Sequence, residues 1–311
     1  MNNESKAFIY EDHVLFNKNK TTLIAYRAKE TNYTIPNSVT TIGERAFLGC
    51  QSLTSINIPN SVTTIGERAF LGCKSLTSIN IPNSVTTIGK RVFWGCQSLT
   101  SINIPNSVTT IEDCAFSCCG SLSSITIPSS VVTIIGNPFY LWHGNLNNES
   151  RAFIYEDHVL FNKNKTTLIA YRARETNYTI PNSVTTIGNG AFGGCGSLTN
   201  INIPNSVTTI GERAFRWCQY LTDDIFFIPN SVTTIGNRAF ERCESLTFIY
   251  IPDSVTTIGN RAFQGCSSLT NINIPNSVTT IGVGAFCNCI DLRSYIKSDI
   301  IQRFGEKVFN F

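Results

Sequence analysis

The amino-acid sequence predicts a β-rich solenoid, in which short parallel strands from successive coils of the chain stack on one another. The first observation is verbatim repetition: the segment IPNSVTTIG occurs seven times, beginning at Ile35 to Gly43. The second is spacing, since Ile-Pro pairs recur within each half of the chain every 23 residues, apart from one step of 25. The third is a longer period: Asn2 to Gly43 matches Asn147 to Gly188 at all but two of 42 positions. Repeats of this length are typical of coils that bury their apolar side chains against one another.

The two periods divide the chain into five predicted parts. Residues 1–34 form a β-meander cap, and residues 35–146 form a first repeat module of five coils, the last of them degenerate. Residues 147–179 form a second β-meander, and residues 180–291 a second module of five coils. Residues 292–311 form a C-terminal cap. The chain is therefore read as a tandem duplication.

One coil, LTSINIPNSVTTIGERAFLGCKS at Leu53 to Ser75, shows how the repeat unit is expected to fold. Alternation places Ile56 and Ile58 on one face of a short strand and polar residues on the other. Pro59 cannot donate a ladder hydrogen bond, so the strand ends there, and Gly66 permits a sharp bend. Other apolar residues then return to the core: Val62, Ile65, Ala69, Phe70 and Cys73.

The lead-in and the tail are expected to close the ends of the repeats. The lead-in reads as a meander that turns at Asp12-His13 and Lys18-Asn19-Lys20. Its predicted strands are Ala7 to Tyr10, Val14 to Asn17 and Thr22 to Tyr26. In the tail, a helix is predicted from about Asp299 to Phe304, capped by Ser298 and stopped by Gly305.

The repeated pattern LxxIxIPxSVxxIGxxAFxxC resembles the BspA-like leucine-rich repeats, a 23-residue class also known from treponemes, over ten coils from about Ile35 to Cys289. The lead-in YEDHVLFNKNKTTLIAY at Tyr10 to Tyr26 is similar to the hairpin that often precedes such coils, although His13 and His158 stand where glycine is common. The resemblance implies a leucine-rich-repeat solenoid and an adhesin-like protein, on the cell surface or secreted, that binds a host matrix or cell-surface protein or glycan. It implies no catalytic residues, because the family shares no catalytic motif.

Charge and hydropathy limit the class of partner and the cellular location that can be expected for the protein. Lys plus Arg (24) nearly balance Asp plus Glu (21), which gives no support for nucleic acid as a partner. No apolar run approaches the roughly 18 residues of a membrane-spanning helix. The stretch from Met1 to His13 has neither a basic nor an apolar region of a signal peptide. An intracellular protein-protein interaction scaffold in the cytoplasm is therefore the alternative function, and the oligomeric state is left open.

The spacing of the twelve cysteines favours a role as buried apolar side chains over disulfide formation or metal binding. Parallel thiols about 4.8 Å apart fit disulfide geometry poorly, so buried free thiols are expected in the cysteine column. The column comprises Cys50, Cys73, Cys96, Cys119, Cys195, Cys218, Cys243, Cys266 and Cys289. The remaining clusters, Cys114/Cys118/Cys119 and Cys287/Cys289, lack a four-ligand set and a nearby histidine. We therefore expect no metal site.

Other motifs that resemble enzyme sites are explained by the repeat. GNGAFG at Gly188 to Gly193 matches a dinucleotide-binding pattern but fills coil positions occupied elsewhere by GERAFL. The three histidines, His13, His143 and His158, are not placed beside a nucleophile by any motif. We expect no catalytic residues, no cofactor and no enzyme.

Aromatic residues break the pattern of the outward strand positions, which are otherwise mostly Ser, Asn or Thr. The eighth coil has Phe227 there, and the ninth has Phe248 and Tyr250. Adjacent exposed aromatics on a polar face are typical of a binding surface, and we predict these three as apolar anchors for a partner. Two alternatives remain: the insertion from Thr222 to Phe227 covers them, or they pack only on one another.

A column of arginines forms the second candidate surface. Arg213, Arg238 and Arg261 stand two residues before the phenylalanine column in the second module, with Arg216 and Arg242 beside them. The first module has the same column at Arg45, Arg68 and Arg91. We predict the stripe in the second module to be a charged edge that recognises an acidic partner or a sulfated glycan. A solvated edge neutralised by glutamates is the alternative.

Overall fold

The structure, a computed structural model, describes residues 7–222 and 227–310. These residues belong to two compact units that divide between Phe153 and Ile154. Each unit is a β-solenoid of stacked parallel coils, which confirms the fold class predicted from the repeats.

The first unit is built from short strands and turns. Its strands are β1 (Phe8–Glu11), β2 (Val14–Asn17), β3 (Thr22–Tyr26), β4 (Asn32–Thr34), β5 (Thr41–Ile42), β6 (Ser55–Asn57), β7 (Thr64–Ile65), β8 (Ser78–Asn80), β9 (Thr87–Ile88), β10 (Ser101–Asn103), β11 (Thr110–Ile111), β12 (Ser124–Ile127), β13 (Thr133–Ile134) and β14 (Asn145–Asn148).

The second unit repeats this plan and ends in a helix. The unit boundary falls within its first strand. The strands are β15 (Phe153–Glu156), β16 (Val159–Asn162), β17 (Thr167–Tyr171), β18 (Asn177–Thr179), β19 (Thr186–Ile187), β20 (Asn200–Asn202), β21 (Thr209–Ile210), β22 (Thr234–Ile235), β23 (Phe248–Tyr250), β24 (Thr257–Ile258), β25 (Asn271–Asn273) and β26 (Thr280–Ile281), followed by α1 (Ser294–Phe304) and a 3-10 helix (Glu306–Val308).

Two parallel ladders run along each unit. The Ser-Ile-Asn strands pair in register, so that Ser55 lies opposite Ser78 and Ile56 opposite Ile79. The second ladder joins Thr-Ile pairs, such as β5 with β7. Its strands have two residues each, so sequence alternation gave no sign of them. The meander β1, β2 and β3 is antiparallel, and β3 continues the Thr-Ile ladder by pairing in parallel with β5. The lead-in therefore pairs directly with the first coil.

The meander turns where the sequence predicted. Asp12 and His13, between β1 and β2, have φ of 46° and 62°, and their copies Asp157 and His158 have 48° and 61°. This left-handed region favours glycine, which explains why glycine is common at the position that His13 and His158 fill.

The third side of each coil is a turn that contains left-handed residues. Arg45, Arg68 and Arg213 have φ of 55°, 57° and 55°. The same column contains Gly190 and Gly284, each with φ of 65°. In this conformation the amide donates to a carbonyl of the next coil, as from Arg45 to Glu67 at 3.0 Å. These inter-coil hydrogen bonds offset the cost of the left-handed backbone.

Stacked aromatic rings form the centre of both units. In the first unit, Phe47, Phe70, Phe93, Phe116 and Phe139 stack with centroids 5.1 to 6.2 Å apart and interplanar angles of 10° to 17°. In the second, Phe192, Phe215, Phe240, Phe263 and Phe286 stack at 5.0 to 5.6 Å and 3° to 13°. Tyr26 and Tyr171 begin these columns. Offset stacking adds to the free energy of burying the rings.

The cysteine column lines this core, with seven of its nine thiols buried and Cys50 and Cys195 half-buried. The Cys73 thiol donates to the Phe47 carbonyl at 3.1 Å, and Cys218 donates to Phe192 at 3.0 Å. In the degenerate fifth coil, Trp142 takes the cysteine position and donates from its indole nitrogen to Leu122 at 2.8 Å. The indole thus donates a hydrogen bond to a backbone carbonyl, as the cysteine thiols do in the regular coils.

The C-terminal helix differs from its prediction at one end. It begins at Ser294 rather than near Asp299, and Arg293, not Ser298, is its N-cap residue. Burial of Ile296 and Ile300, one turn apart, places the first turn against the last coil and extends the helix. The predicted stop at Gly305 is confirmed.

Candidate functional site

The three aromatic residues singled out from the sequence lie at the surface of the second unit. Phe227 is 65% exposed, Tyr250 45% and Phe248 38%. In the other coils, the outward residues of the same strand are Ser, Asn or Thr. We call Phe227, Phe248 and Tyr250 the aromatic patch.

Local strand geometry explains the exposure. In β23 the side chain of Ile249 points inward and is 1% exposed, so its neighbours Phe248 and Tyr250 point outward. On the next coil, Phe248 lies opposite Asn271, and Tyr250 lies opposite Asn273. Phe227 and Tyr250 each stand two residues before the proline of their coil, and so share one column.

The alternative that the insertion covers the patch concerns residues 223–226, which lie outside the described part of the chain. The paired carboxylates Asp223 and Asp224 fall within that same segment. Thr222, directly before it, donates to the Thr199 carbonyl at 3.3 Å, as Thr199 does to Thr176 at 3.0 Å. The threonine ladder is therefore regular up to the insertion.

The arginine stripe is largely ion-paired rather than fully solvated. The Arg213 side chain is 15% exposed and lies 2.6 Å from the Glu212 carboxylate. Arg238 is 32% exposed and lies 3.6 Å from Glu241. Arg261 is half-buried, in the corresponding position of the next coil. Arg213 and Arg238 are thus partly neutralised by glutamates of the same unit.

Glu241 is the central acid of the stripe, and sequence reasoning missed it. Its side chain is 8% exposed and lies 2.9 Å from Arg216 through each of two nitrogen-oxygen contacts. Arg216 and Glu241 occupy the same column of neighbouring coils, 25 residues apart. Opposite charges in one column of stacked coils meet across the stack, and that spacing could have revealed the pair from sequence.

The charges around Arg238 shift the pKa of its guanidinium in opposite directions. Burial lowers the pKa of the Arg238 guanidinium, and Glu241 counteracts this by favouring the charged form. The neighbouring Arg261, Arg213 and Arg216 add to the lowering. Glu241 therefore holds together guanidinium groups that would otherwise repel one another in a partly desolvated site.

Two further aromatics are exposed beside this cluster. Trp217 is 41% exposed and Tyr220 is 54% exposed. The guanidinium carbon of Arg242 lies 5.0 Å from the Trp217 ring centroid, and that of Arg216 lies 5.8 Å from it. These contacts fall within cation-π range. Trp217 stands where half of the coils have glycine, so a departure from the repeat was the available signal for this residue.

The buried thiols have environments that suppress their reactivity. Burial raises the pKa of Cys119 to about 12 and that of Cys114 to about 11. The protonated form is therefore dominant at neutral pH, and it is neither a strong nucleophile nor a metal ligand. Within the described residues, no group of three or more His, Cys, Asp and Glu side chains is arranged to hold a metal ion.

Among solved structures, a leucine-rich cell surface protein of Faecalibacterium prausnitzii is 30% identical to this chain, covering 93% of it and 94% of the other, with a TM-score of 0.68. The pneumococcal vaccine antigen PcpA is 18% identical over 99% of this chain and 98% of its own, with a TM-score of 0.62. A leucine-rich repeat protein of Eubacterium ventriosum is 23% identical over 91% and 93%, with a TM-score of 0.52. The last two likenesses concern the fold. Among curated proteins, none matches the chain significantly.

Stacked coils with a polar strand face and a constant apolar interior define the class of protein, a leucine-rich-repeat scaffold. The sequence profile of the BspA type leucine rich repeat region, in its six-copy form, matches residues 25–144 and 170–293. The chain belongs to the BspA-type leucine-rich repeat family. Its described helices include none of the length and apolar character needed to cross a membrane.

Proposed function

We propose that the protein is a non-catalytic binding scaffold, adhesin-like and located on the cell surface or secreted, which uses the aromatic patch to hold a protein or glycan partner. The observation that carries the proposal is the exposure of Phe227, Phe248 and Tyr250 at coil positions that elsewhere carry Ser, Asn or Thr. No enzymatic step, cofactor or nucleic acid is part of it.

Physical chemistry supports this use of the patch. Aromatic side chains on a regular strand are rigid, and each loses little conformational entropy when a partner covers it. Partner binding removes their apolar surface from water, and aromatic residues contribute strongly to the centres of binding surfaces. Tyr250 also offers a hydroxyl for hydrogen bonding.

The arginine stripe supplies the charged edge of the proposed surface. Arg213, Arg238 and Arg261 are half-buried, with Glu212 and Glu241 beside the first two. The five arginines of the cluster exceed its glutamates Glu212, Glu241 and Glu244, so it keeps a positive balance. An acidic protein segment or a sulfated glycan fits that balance. The surface location is supported by the cell surface protein of F. prausnitzii.

The test is binding of the full chain to a panel of matrix proteins and glycans, comparing wild type with the combined variant Phe227→Ser, Phe248→Ser and Tyr250→Asn. We expect affinity for the recognised partner to fall at least tenfold, because losing more than about 1.4 kcal/mol of apolar contact has that effect. The matched control, Ser78→Ala with Asn80→Ala, changes the same strand positions of the first unit and leaves affinity unchanged.

A triple variant that remains folded and binds as tightly as wild type would show that the aromatic patch is not the site. Fractionation of native cells tests the location separately. Recovery of the protein from the cytoplasm would favour the alternative, an intracellular protein-protein interaction scaffold, and would leave the patch experiment valid.

A further inference from the structure

The first unit contains a cleft of about 610 Å³ near the ends of strands β10 and β12. It is separate from the aromatic patch and from the arginine stripe, both of which belong to the second unit. The residues that line it are Asn83, Ile102, Asn103, Ile104, Pro105, Asn106, Ser107, Thr126, Pro128 and Glu149. Its volume is within the range of about 300 to 1,000 Å³ that small-molecule sites occupy.

The repeat pattern changes at the cleft, in the column of residues that precedes the serine ladder. In each regular coil an Asn-Ser pair follows the proline, and the serine hydroxyl donates to a valine of the preceding coil. Along the stack, Ser84 donates to Val62, Ser107 to Val85, Ser130 to Val108 and Ser150 to Val131. The residues before these serines therefore form one column: Asn83, Asn106, Ser129 and Glu149. Ser129 has the shortest side chain of this column and stands between Asn106 and Glu149.

The lining has the chemistry of a polyol site. The three asparagines each offer an amide donor and a carbonyl acceptor, Ser107 and Thr126 offer hydroxyl oxygens, and Glu149 offers an exposed carboxylate. Ile104, Pro105 and Pro128 are largely buried and add a small apolar area to an otherwise polar lining. Sugars present this combination of vicinal hydroxyls and apolar C–H faces.

Charge limits which sugars fit. Among the described residues that line the cleft, none is Lys, Arg or His, and Glu149 contributes a negative charge. An acidic sugar would bring a second negative charge close to that carboxylate without a compensating cation. A calcium ion needs six to eight oxygen ligands, usually several carboxylates, and the cleft has one carboxylate.

We propose that this cleft binds an uncharged sugar residue, such as the neutral end of a glycan chain. Asn83, Asn106 and Thr126 hydrogen-bond the sugar hydroxyls, Pro105 and Pro128 contact its apolar face, and Glu149 accepts from a hydroxyl and repels acidic sugars. The site is independent of the aromatic patch, so either can fail without the other.

The experiment is titration of the full chain with a panel of uncharged mono- and disaccharides, including hexoses and N-acetylhexosamines, followed by saturation-transfer NMR. We expect at least one to bind with a dissociation constant of about 10 mM or below, a usual strength for a few hydrogen bonds and one apolar contact. Uronic acids of the same size should bind at least tenfold more weakly. Binding of no uncharged sugar, or loss of binding on adding EDTA, overturns the proposal.

Two variants locate the binding. Thr126→Tyr fills the cleft with a residue that the same column already accepts at Tyr250, and it should reduce affinity at least tenfold. Asn57→Tyr makes the same change in the same column at a position that does not line the cleft, and it should leave affinity within twofold. Equal effects of the two would overturn the site assignment. Glu149→Gln should bring uronic acids within about threefold of the neutral sugar, and unchanged discrimination would refute the role of the carboxylate.

Discussion

The two units share one interior and differ in the column that follows the core phenylalanines. In the first unit this column reads Leu48, Leu71, Trp94, Ser117 and Tyr140, whereas in the second it reads Gly193, Arg216, Glu241, Gln264 and Cys287. The stacked rings, buried thiols and left-handed arginines are present in both. The phenylalanine and cysteine columns match from coil to coil, whereas this column changes, even though Ser117, Tyr140, Glu241 and Cys287 in it are buried.

The change alters how the arginines are stabilised. In the first unit Arg68 pairs with Glu67 at 3.1 Å, a partly exposed contact, and the Arg91 guanidinium lies 4.7 Å from the Trp94 ring centroid. In the second unit Arg216 and Arg238 converge on the buried Glu241. Partly exposed pairs contribute little to stability, whereas a buried acid among guanidiniums is costly to disturb. The second unit has thus gained a charged network that the fold itself does not require.

The largest expected effect tests the shared interior. Phe93→Ala and Phe240→Ala each remove a ring that is fully buried and stacked on both sides. Each should lower the free energy of unfolding of its own unit by about 3 to 5 kcal/mol, through lost contacts and a cavity. Hydrogen exchange read separately for each unit provides the measurement, with the exposed Thr63→Ala as control. Values that differ between the units by more than about 2 kcal/mol would contradict a common interior.

The next effect tests the difference between the units. Glu241→Gln leaves Arg216 and Arg238 without their shared anion and should lower the free energy of unfolding of the second unit by about 1 to 3 kcal/mol. Arg216→Leu combined with Glu241→Leu copies Leu48 and Leu71 of the first unit, and should cost less than Glu241→Gln alone. Hydrogen exchange read for the second unit measures both. A double variant less stable than Glu241→Gln would mean that the second unit depends on its network.

The smallest effect concerns the left-handed arginines. Arg45→Gly relieves a left-handed backbone that costs roughly 1 to 2 kcal/mol, less the extra freedom of glycine when unfolded, so the first unit should gain about 0.5 to 1 kcal/mol. Arg213→Gly should gain less, because the 15% exposed Arg213 side chain also loses its pairing with Glu212. Thermal unfolding of both variants measures the difference. Stabilisation by Arg213→Gly that equals or exceeds that by Arg45→Gly would be evidence against this ranking.

Much of the fold was predictable because the interior repeats. Alternation around Ile56 and the proline that follows predicted the strand, and column spacing predicted the phenylalanine and cysteine stacks. The two-residue strand at Thr64–Ile65 was not predictable, since a single buried side chain cannot show a period. The left-handed φ of Arg68 could not be predicted from the sequence either, because arginine has no preference for that region.

The candidate surfaces were predictable in a narrower sense. Phe227, Phe248 and Tyr250 were visible because they interrupt a polar pattern, and strand geometry fixed the outward direction of Phe248 and Tyr250. Glu241 was overlooked because an acid in a surface turn reads as solvated until its partners in the neighbouring coils are placed. The cleft beside Glu149 was not predictable, because the sequence places Glu149 in one column with Asn83 and Asn106 only after the serine ladder has been traced.

The identical coils also bear on how the chain finds its register. A coil that docks one repeat out of step buries the same Phe, Ile and Val side chains, so the interior offers almost no energetic penalty for slippage. Register must instead be set where the repetition stops. At one end β3 pairs with β5 through Thr22 and Leu23, and at the other Arg303 donates to the carbonyls of Ile274 and Pro275 at 2.8 and 2.9 Å. The elements that flank the identical coils therefore determine which coil pairs with which.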